Sequence, residues 1–349
     1  MAQIASPDQR TPRHTANGLN LCKWPKHLFC HLDSASGGIS CGAMSEKRAM
    51  DGLGAAMLIG FSGLMGLNQV VIKVSNGGFG PVFQAGLRSL IGLAVLLAWL
   101  GFRGQLKRAT APTPPETAAT PVHWSRSVHF WGLVSGSLFT AEFICLYIAL
   151  DLSSVSRVTI IFNSMPVWLA LAGHLLLPGE RLSPIRMLGL VLAMGGVVLA
   201  VLHRGSGDAS LLGDVLALVS TLAWAGIALC ARLSPLAAVP PIRQLTYQLA
   251  TSAVVLLAIS PLFGPLLRAP TALHIAGVLF QSVAIASLGY LLWLWLISIY
   301  RANAVASFSF LSPVIAAILG WLLLNEVIYP QVWAALALVA VGIVLINRK

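Results

Sequence analysis

Two long segments of this chain repeat the same order of features. Residues 155–200 and 304–346 each hold an apolar helix with an internal proline, a run of three leucines and a glutamate at the helix exit. A short polar turn and a second apolar helix follow in both segments, ending in Gly-Val-Val-Leu or Gly-Ile-Val-Leu. The duplication predicts that the chain folds as two halves built to one plan.

The composition places both halves in a lipid bilayer. Hydrophobic residues make up 57% of the chain and charged residues 9%, whereas about a quarter of the residues of soluble domains are charged. The apolar runs approach the roughly 20 residues that a membrane helix needs, and they lack the alternation of membrane barrel strands. We predict an all-α polytopic membrane protein with ten transmembrane helices, at 51–75, 81–102, 130–150, 155–177, 185–202, 211–232, 242–263, 272–300, 302–324 and 331–346.

The match between the halves extends to their first spans. At one constant offset Lys73 falls on Arg232 and Pro81 on Pro240, so that five spans match five spans. An odd number of crossings makes the second half enter the membrane from the opposite side, an arrangement that transporters use for alternating access. We predict two inverted five-helix repeats, 51–202 and 211–347, joined by a periplasmic linker at 203–210. Duplication that merely enlarges a stable bundle is the alternative.

Basic residues indicate the orientation. With a cytoplasmic N-terminus, seventeen of the twenty-two Lys and Arg residues lie in inside segments, as the positive-inside rule requires. We therefore predict a multi-pass protein of the bacterial inner membrane with both termini in the cytoplasm. The net charge of +11 follows from these loops, and we reject a nucleic-acid partner.

The first fifty residues are polar and have no secretory signal pattern. Cys22, Cys30 and His31 lack the two-to-four-residue spacing of zinc sites, so we interpret residues 1–50 as a disordered cytoplasmic tail and predict no metal or cofactor. Met44, just before the first span, is an alternative start to Met1.

Two charged residues fall well inside predicted spans. Glu142 lies eight residues from the outer end of span three and Arg88 seven from that of span two, giving depths of about 12 and 10 Å. Because a charge within the hydrocarbon is costly, we expect a substrate or proton-coupling role for the pair. A permanent ion pair that holds two helices together is the alternative.

Other polar side chains are predicted near the same depth. Asn68, Asn163 and Gln281 come from three further spans, and we expect them to bind substrate, although structural hydrogen bonds between helices are an equal alternative. Tyr247 and Tyr290 could line the same pocket, or pack and anchor as membrane aromatics commonly do.

The remaining candidates are an outer vestibule and two helix kinks. Lys73 and Arg157 lie near outer helix ends, where they could attract an anionic solute or extend to the interface. Pro166 and Pro313 each remove a helical hydrogen bond, which predicts matched kinks in spans four and nine, either static or moving.

A family resemblance follows from these motifs. Gly66-Leu-Asn68 with Lys73, Arg88 in span two, the proline-to-glutamate span four and the ending at Gly195-Gly196 resemble EamA-type permeases of the drug/metabolite transporter superfamily. The resemblance covers residues 51–347. It implies ten helices, cytoplasmic termini and movement of small metabolites, often as export.

We therefore predict a secondary transporter that moves a small metabolite, amino acid or drug by alternating access, with proton-coupled export as one mode and uncoupled facilitation as another. Its partners would be the small-molecule substrate, the lipid bilayer and protons, with the oligomeric state open. A non-transporting receptor or scaffold is the alternative. An enzyme is not expected, because Glu142 is the only acidic residue deep in a span and no catalytic motif appears.

Overall fold

The computed structural model describes residues 51–104, 127–176, 183–202, 210–299 and 311–346. The predicted tail at 1–50 and nearly all of the predicted linker lie outside these ranges. The described residues are almost entirely helical, with one isolated bridge between Phe79 and Leu267. The helices are α1 (Gly52–Asn76), α2 (Pro81–Phe102), α3 (Val128–Leu152), α4 (Val155–Phe162), α5 (Met165–Leu176), α6 (Pro184–Leu202), α7 (Leu211–Leu233), α8 (Pro241–Ile259), α9 (Ala272–Phe280), α10 (Tyr290–Ile299), α11 (Leu311–Leu324) and α12 (Pro330–Ile346).

Eight helical segments within these ranges are long and apolar enough to cross a membrane. The segments α4 with α5 and α9 with its continuation each count as one of them, and α11 and α12 are shorter apolar helices. The prediction of an all-helical, multi-pass membrane protein is confirmed for the described residues. The predicted start of span nine, at 302–310, lies outside them.

Two of the long segments are not simple α-helices. The span that begins at Val155 is interrupted between α4 and α5, where Asn163 ends the first helix. The span that begins with α9 becomes a π-helix over Gln281–Gly289 before it continues as α10. Wider turns of this kind are rare and are frequent at functional sites.

Several helices meet at one end of the bundle, which we call the capped end. The Asn76 side chain at the end of α1 donates to the backbone of Tyr147 near the end of α3. The Arg157 side chain near the start of α4 bonds to Asp214 at the start of α7 and to the backbone of Val201 in α6. Helix ends and helix starts therefore alternate along the chain at this end, as expected of successive crossings.

The helices of the two halves contact each other in a reciprocal pattern. The first span of each half packs on the fourth span of the other, α1 on α11 and α7 on α4 and α5. The third span of each half packs on the first and second spans of the other. The second spans pair as α2 with α8, and the fifth as α6 with α12.

The contact between α6 and α12 is reciprocal at the level of single residues. A Cβ added to Gly342 would lie 2.5 Å from the carbonyl oxygen of Gly189, and one added to Gly196 would lie 2.7 Å from that of Ala335. Real side chains do not approach backbone so closely, so these glycines allow the two helices to touch through their backbones, as small residues do in membrane helix pairs.

Candidate functional site

Arg88 lies in the interior of the bundle beside α3. Its residue is 6% exposed, and its guanidinium carbon lies 4.3 Å from the centre of the Phe143 ring. The ring face is electron-rich and stabilises a cation there. The Nε and Nη1 atoms of Arg88 are buried and have no hydrogen-bond acceptor. The guanidinium is therefore positioned by an aromatic ring and keeps unused donors.

Glu142 precedes Phe143 on α3 and is 5% exposed. Its carboxylate forms no hydrogen bond and no ion pair with any described residue. Arg88 of the neighbouring helix α2 instead lies over the ring of Phe143, the residue that follows Glu142. The predicted pair is thus neighbouring but not in contact, which differs from a closed ion pair between two helices.

A hydrogen-bonded layer lies between these charges and the capped end. The Gln281 side chain is fully buried, and its Oε1 accepts from the Tyr147 hydroxyl at 2.7 Å and from Gln84 Nε2 at 3.3 Å. Its Nε2 donates to the Ser75 hydroxyl at 3.4 Å. Four spans thus meet at Gln281, the first residue of the π-helix.

The charged level lies one to two helical turns further into the bundle than this layer. Arg88 follows Gln84 by four residues on α2, and Glu142 precedes Tyr147 by five on α3, which is about 6 and 7.5 Å along each axis. Asn68 precedes Ser75 by seven residues and is 8% exposed, with its Oδ1 unpaired. The interior therefore has a bonded layer and, beneath it, a level with unsatisfied polar atoms.

Three predicted substrate-binding residues, Asn163, Tyr247 and Tyr290, form hydrogen bonds elsewhere in the bundle. Asn163 donates from Nδ2 to the carbonyl oxygen of Thr159 at 2.9 Å and ends its own helix. The Tyr247 hydroxyl bonds to His129 Nδ1 at 2.7 Å, near the start of α3. Since His129 and Glu142 are thirteen residues apart on one helix, Tyr247 lies about 20 Å from the charged level.

The Tyr290 hydroxyl donates to the carbonyl oxygen of Pro241 at 3.2 Å, at the start of α8 and thus at the opposite end of the bundle from the capped end. The single polar level expected from sequence is therefore divided. The structure brings Arg88, Glu142 and Gln281 into one region and leaves Tyr247 and Tyr290 at the opposite end.

The two vestibule candidates are bound in the capped end. Lys73 Nζ donates to the carbonyl oxygen of Ser153 at 2.6 Å and lies 3.5 Å from Glu326 Oε1. Arg157 is 6% exposed and pairs with Asp214, its Nε lying 3.3 Å from Oδ1. Arg157 is therefore a buried, paired side chain rather than an open vestibule residue, because the carboxylate of α7 compensates the loss of hydration.

The two prolines are described to different extents. Pro166 is the second residue of α5, directly after the interruption of span four. A proline is tolerated in the first turn of a helix, where its missing N–H has no helical partner. Pro313 is the third residue of α11, and the segment before α11 lies outside the described residues.

Sequence reasoning missed three residues that the structure places in these networks. Gln84 shares a face of α2 with Arg88, since it lies four residues earlier, and this spacing could have identified it. Phe143 follows Glu142 directly, but nothing in its sequence context distinguishes it from a packing residue. Asp214 could have been paired with Arg157 only from the contact between α4 and α7.

The interior combines unsatisfied polar groups from several helices. Among the described residues no three His, Cys, Asp or Glu side chains are grouped to hold an ion. Within the described ranges, the interior presents the Glu142 carboxylate without an ion pair, the Arg88 guanidinium with two unbonded nitrogens and the unbonded Oδ1 of Asn68. Such groups bind a ligand or exchange protons more readily than groups that are already saturated.

Comparison with known proteins identifies the family. The model of the EamA-like transporter family matches residues 52–202 and again 211–348. A Bacillus subtilis protein named uncharacterized transporter YvbV is 29% identical, covering 84% of this chain and 92% of its own length. An Archaeoglobus fulgidus protein, also named an uncharacterized transporter, is 24% identical over 74% of this chain and 84% of its own.

A solved structure supports the fold. A crystal structure of a protein with 23% identity aligns with a TM-score of 0.56, covering 83% of this chain and 96% of that one. The two family matches coincide with the two predicted halves and together cover nearly all of the described helices. The chain belongs to the EamA-like transporter family.

Proposed function

We propose that this protein is a secondary transporter that moves a small polar solute across the membrane by alternating access, with Arg88 and Glu142 at the centre of its path. The observation that carries the proposal is the unsaturated level in the bundle interior. A guanidinium with buried, unpaired donors and a carboxylate without a hydrogen-bond or ion-pair partner among the described residues lie on neighbouring helices. A bundle selected for stability alone gains nothing from such groups, because unpaired buried polar atoms are costly.

The reciprocal contacts support an inverted-repeat mechanism. The packing of first on fourth spans, and of third on first and second spans, has its counterpart when the halves are exchanged. The pairs Gly342 with Gly189 and Gly196 with Ala335 also exchange under the sequence match between the halves. Five spans in each half make the halves antiparallel, and transporters of this type bind substrate between their repeats.

The chemistry of the site supports a solute with polar or charged groups. Arg88 offers donors for an anionic or carbonyl oxygen, and Glu142 offers acceptors for an ammonium or hydroxyl group. Amino acids, other polar metabolites and amphipathic drugs satisfy this description. Glu142 would serve as the proton carrier of a coupled exporter, since a buried carboxylate near a movable cation changes protonation when the cation moves.

The distribution of basic residues supports an orientation with both termini in the cytoplasm. Both termini would face the cytoplasm of a bacterial cell and the capped end would face the periplasm, because Lys and Arg are concentrated in the loops of the other side. A receptor or scaffold that binds the same solute without moving it is the second candidate, favoured by the hydrogen bonds that close the capped end.

Reconstituted protein tests the proposal. Metabolite profiling of deletion and overexpression strains would identify the solute, and its flux into proteoliposomes would be measured with and without a pH gradient. Glu142→Gln should abolish acceleration by the gradient while the protein stays folded. Asp51→Asn, which changes a helix-capping carboxylate at the start of α1, is the matched control and should keep the acceleration.

The outcomes separate the candidates. Wild-type pH dependence in Glu142→Gln would eliminate the proton role. Solute binding with no flux under any gradient would eliminate transport and favour the receptor.

A further inference from the structure

The spans form two bundles whose members contact one another closely. The first bundle comprises α3, α4, α5 and α7, and the second comprises α1, α9, the π-helix, α10 and α11. The helices α2 and α8 pair beside them, and α6 pairs with α12. Arg88 of α2 faces Phe143 of the first bundle, while Gln281 belongs to the second. In the proposed transport function, a solute that moves between the bundles would therefore pass the candidate site.

Glu326 links the two bundles at the capped end. It follows α11 of the second bundle, and its Oε1 accepts the Val155 backbone N–H at 2.7 Å. Its Oε2 accepts the Ser156 backbone N–H at 3.2 Å and the Ser156 hydroxyl at 3.0 Å. The carboxylate thus caps the first turn of α4, where free N–H groups and the helix dipole favour an anion.

The turn after α11 places this carboxylate. Asn325 has φ of 54°, in the left-handed region that asparagine tolerates better than most residues. The Glu326 N–H then donates back to the carbonyl oxygen of Gly320 at 3.2 Å. The side chain of Glu326 is therefore directed against α4 and lies beside Lys73 of α1.

Further hydrogen bonds between the bundles lie at the same end. Asn76 of α1 donates to the Tyr147 carbonyl oxygen at 2.9 Å, and the Tyr147 hydroxyl donates to Gln281 at 2.7 Å. Arg268, in the loop before α9, donates from Nη1 to both oxygens of Asp151 at 3.0 and 2.9 Å. Asn76, Asp151 and Arg268 lie near helix ends, where separation would expose them to water and not to lipid, whereas the bond between Tyr147 and Gln281 lies deeper in the bundle.

Burial differs between the two parts of the span that begins at Val155. All eight residues of α4 are buried, whereas α5, which continues the same span, is mostly half-buried or exposed up to Leu175. Both α4 and α5 pack on α6, α7 and α12, and α4 in addition packs on α1 and α11 of the second bundle. Within the described residues, the two bundles meet along the capped half of this span.

We propose that Glu326 is the latch of a gate at the capped end, and that this end opens when its carboxylate leaves the start of α4. This inference rests on the proposed transport function. The hydrogen bonds that would break are replaced by hydrogen bonds to water once the end opens, so the gate can exchange between two states at moderate cost. The Lys73 ammonium would leave Ser153 in the same movement.

A disulfide across the gate tests the proposal. A Cβ added to Gly320 would lie 3.6 Å from the Cβ of Val155, within the separation of about 3.5 to 4.5 Å that a disulfide requires. We would combine Val155→Cys and Gly320→Cys in a chain whose native cysteines are replaced. Asn68→Cys serves as a reporter, labelled by a membrane-impermeant maleimide and read by mass spectrometry of its peptide.

The reagent is applied to vesicles whose capped end faces outward, as established with Leu262→Cys, an exposed position at that end. We expect labelling of the reporter in reduced protein, protection after oxidation, and recovery with a reductant. Equal labelling in both states would overturn the gate and leave alternating access standing. Absence of labelling from the capped side even in reduced protein would overturn alternating access itself.

Single variants complete the test. Gly320→Cys alone controls for the contact of its new Cβ with Glu326 Oε2, at 2.9 Å. In the Glu326→Gln variant, the Asn68→Cys reporter should be labelled several-fold faster from the capped side than in the parent. The reason is that glutamine lacks the charge that α4 and Lys73 bind. Asp51→Asn changes a carboxylate that accepts the Gly54 N–H at the start of α1, at the opposite end, and its reporter should be labelled at the parent rate. Unchanged labelling of a folded Glu326→Gln would show that this carboxylate is only a helix cap.

Discussion

The guanidinium of Arg88 lies over the ring of Phe143, 4.3 Å from its centre, while Glu142, the next residue on the same helix, has no hydrogen-bond or ion-pair partner among the described residues. The cation is thus held by a ring and not by the adjacent carboxylate. In the proposed function, this arrangement leaves both charges available to the solute, and the ring positions Arg88.

The first prediction concerns Phe143. Phe143→Leu keeps an apolar side chain but removes the ring face, which contributes about 0.5–2 kcal/mol to holding a cation. We expect the apparent affinity for the transported solute to fall roughly two- to thirtyfold, with a smaller change in thermal stability. Transport kinetics in proteoliposomes would measure it.

Phe139→Leu is the matched control, since the Phe139 ring packs edge to face with that of Phe143, with centroids 4.5 Å apart, while the Arg88 guanidinium lies over Phe143. Equal losses of affinity in the two variants would assign Phe143 to packing alone.

The second prediction concerns Gln281, the shared partner of the bonded layer. Gln281→Leu leaves the Tyr147 hydroxyl, Gln84 Nε2 and the Ser75 hydroxyl short of a partner, and we expect a loss of about 1–3 kcal/mol in unfolding free energy. Tyr147→Phe removes a single hydrogen bond and should cost about 0.6 kcal/mol. Unfolding of both variants in detergent or bilayers would measure the difference, and an equal cost would contradict the shared role of Gln281.

The third prediction concerns the buried pair of Arg157 and Asp214. Removing either partner leaves an uncompensated charge at the capped end, so Arg157→Gln and Asp214→Asn should each cost about 3–5 kcal/mol. The double variant should cost less than the sum of the single changes, as expected for groups in contact. Additive losses would show that the two side chains act independently.

The fourth prediction concerns the crossing of α6 and α12. Gly342→Ala places a Cβ 2.5 Å from the Gly189 carbonyl oxygen, so the helices must separate, at a cost of about 1–3 kcal/mol. Gly195→Ala is the control, because no atom lies within 4 Å of its added Cβ and alanine favours a helix more than glycine does. A lower thermal stability of Gly195→Ala than of Gly342→Ala would contradict the close crossing.

The membrane class, most helices and the interior position of two charges were predictable from the sequence. Apolar runs indicate which segments enter lipid. An ionisable residue far inside such a run stands out because placing a charge in the hydrocarbon costs free energy. The buried positions of Arg88 and Glu142 were predicted in this way. Their depths along each helix follow from the constant helical rise.

What the sequence by itself determined was therefore one-dimensional: which segments are helices in lipid, in what order, and how far along its own helix each polar residue lies. Only the tertiary structure decided which side chains at one depth meet. In that structure Arg157 pairs with Asp214, and the Asn163 amide bonds to its own helix. Tyr247 lies at the opposite end beside His129. The physical reason is that rotation and tilt of a membrane helix are set by its packing against neighbours, and those contacts join residues far apart in the chain.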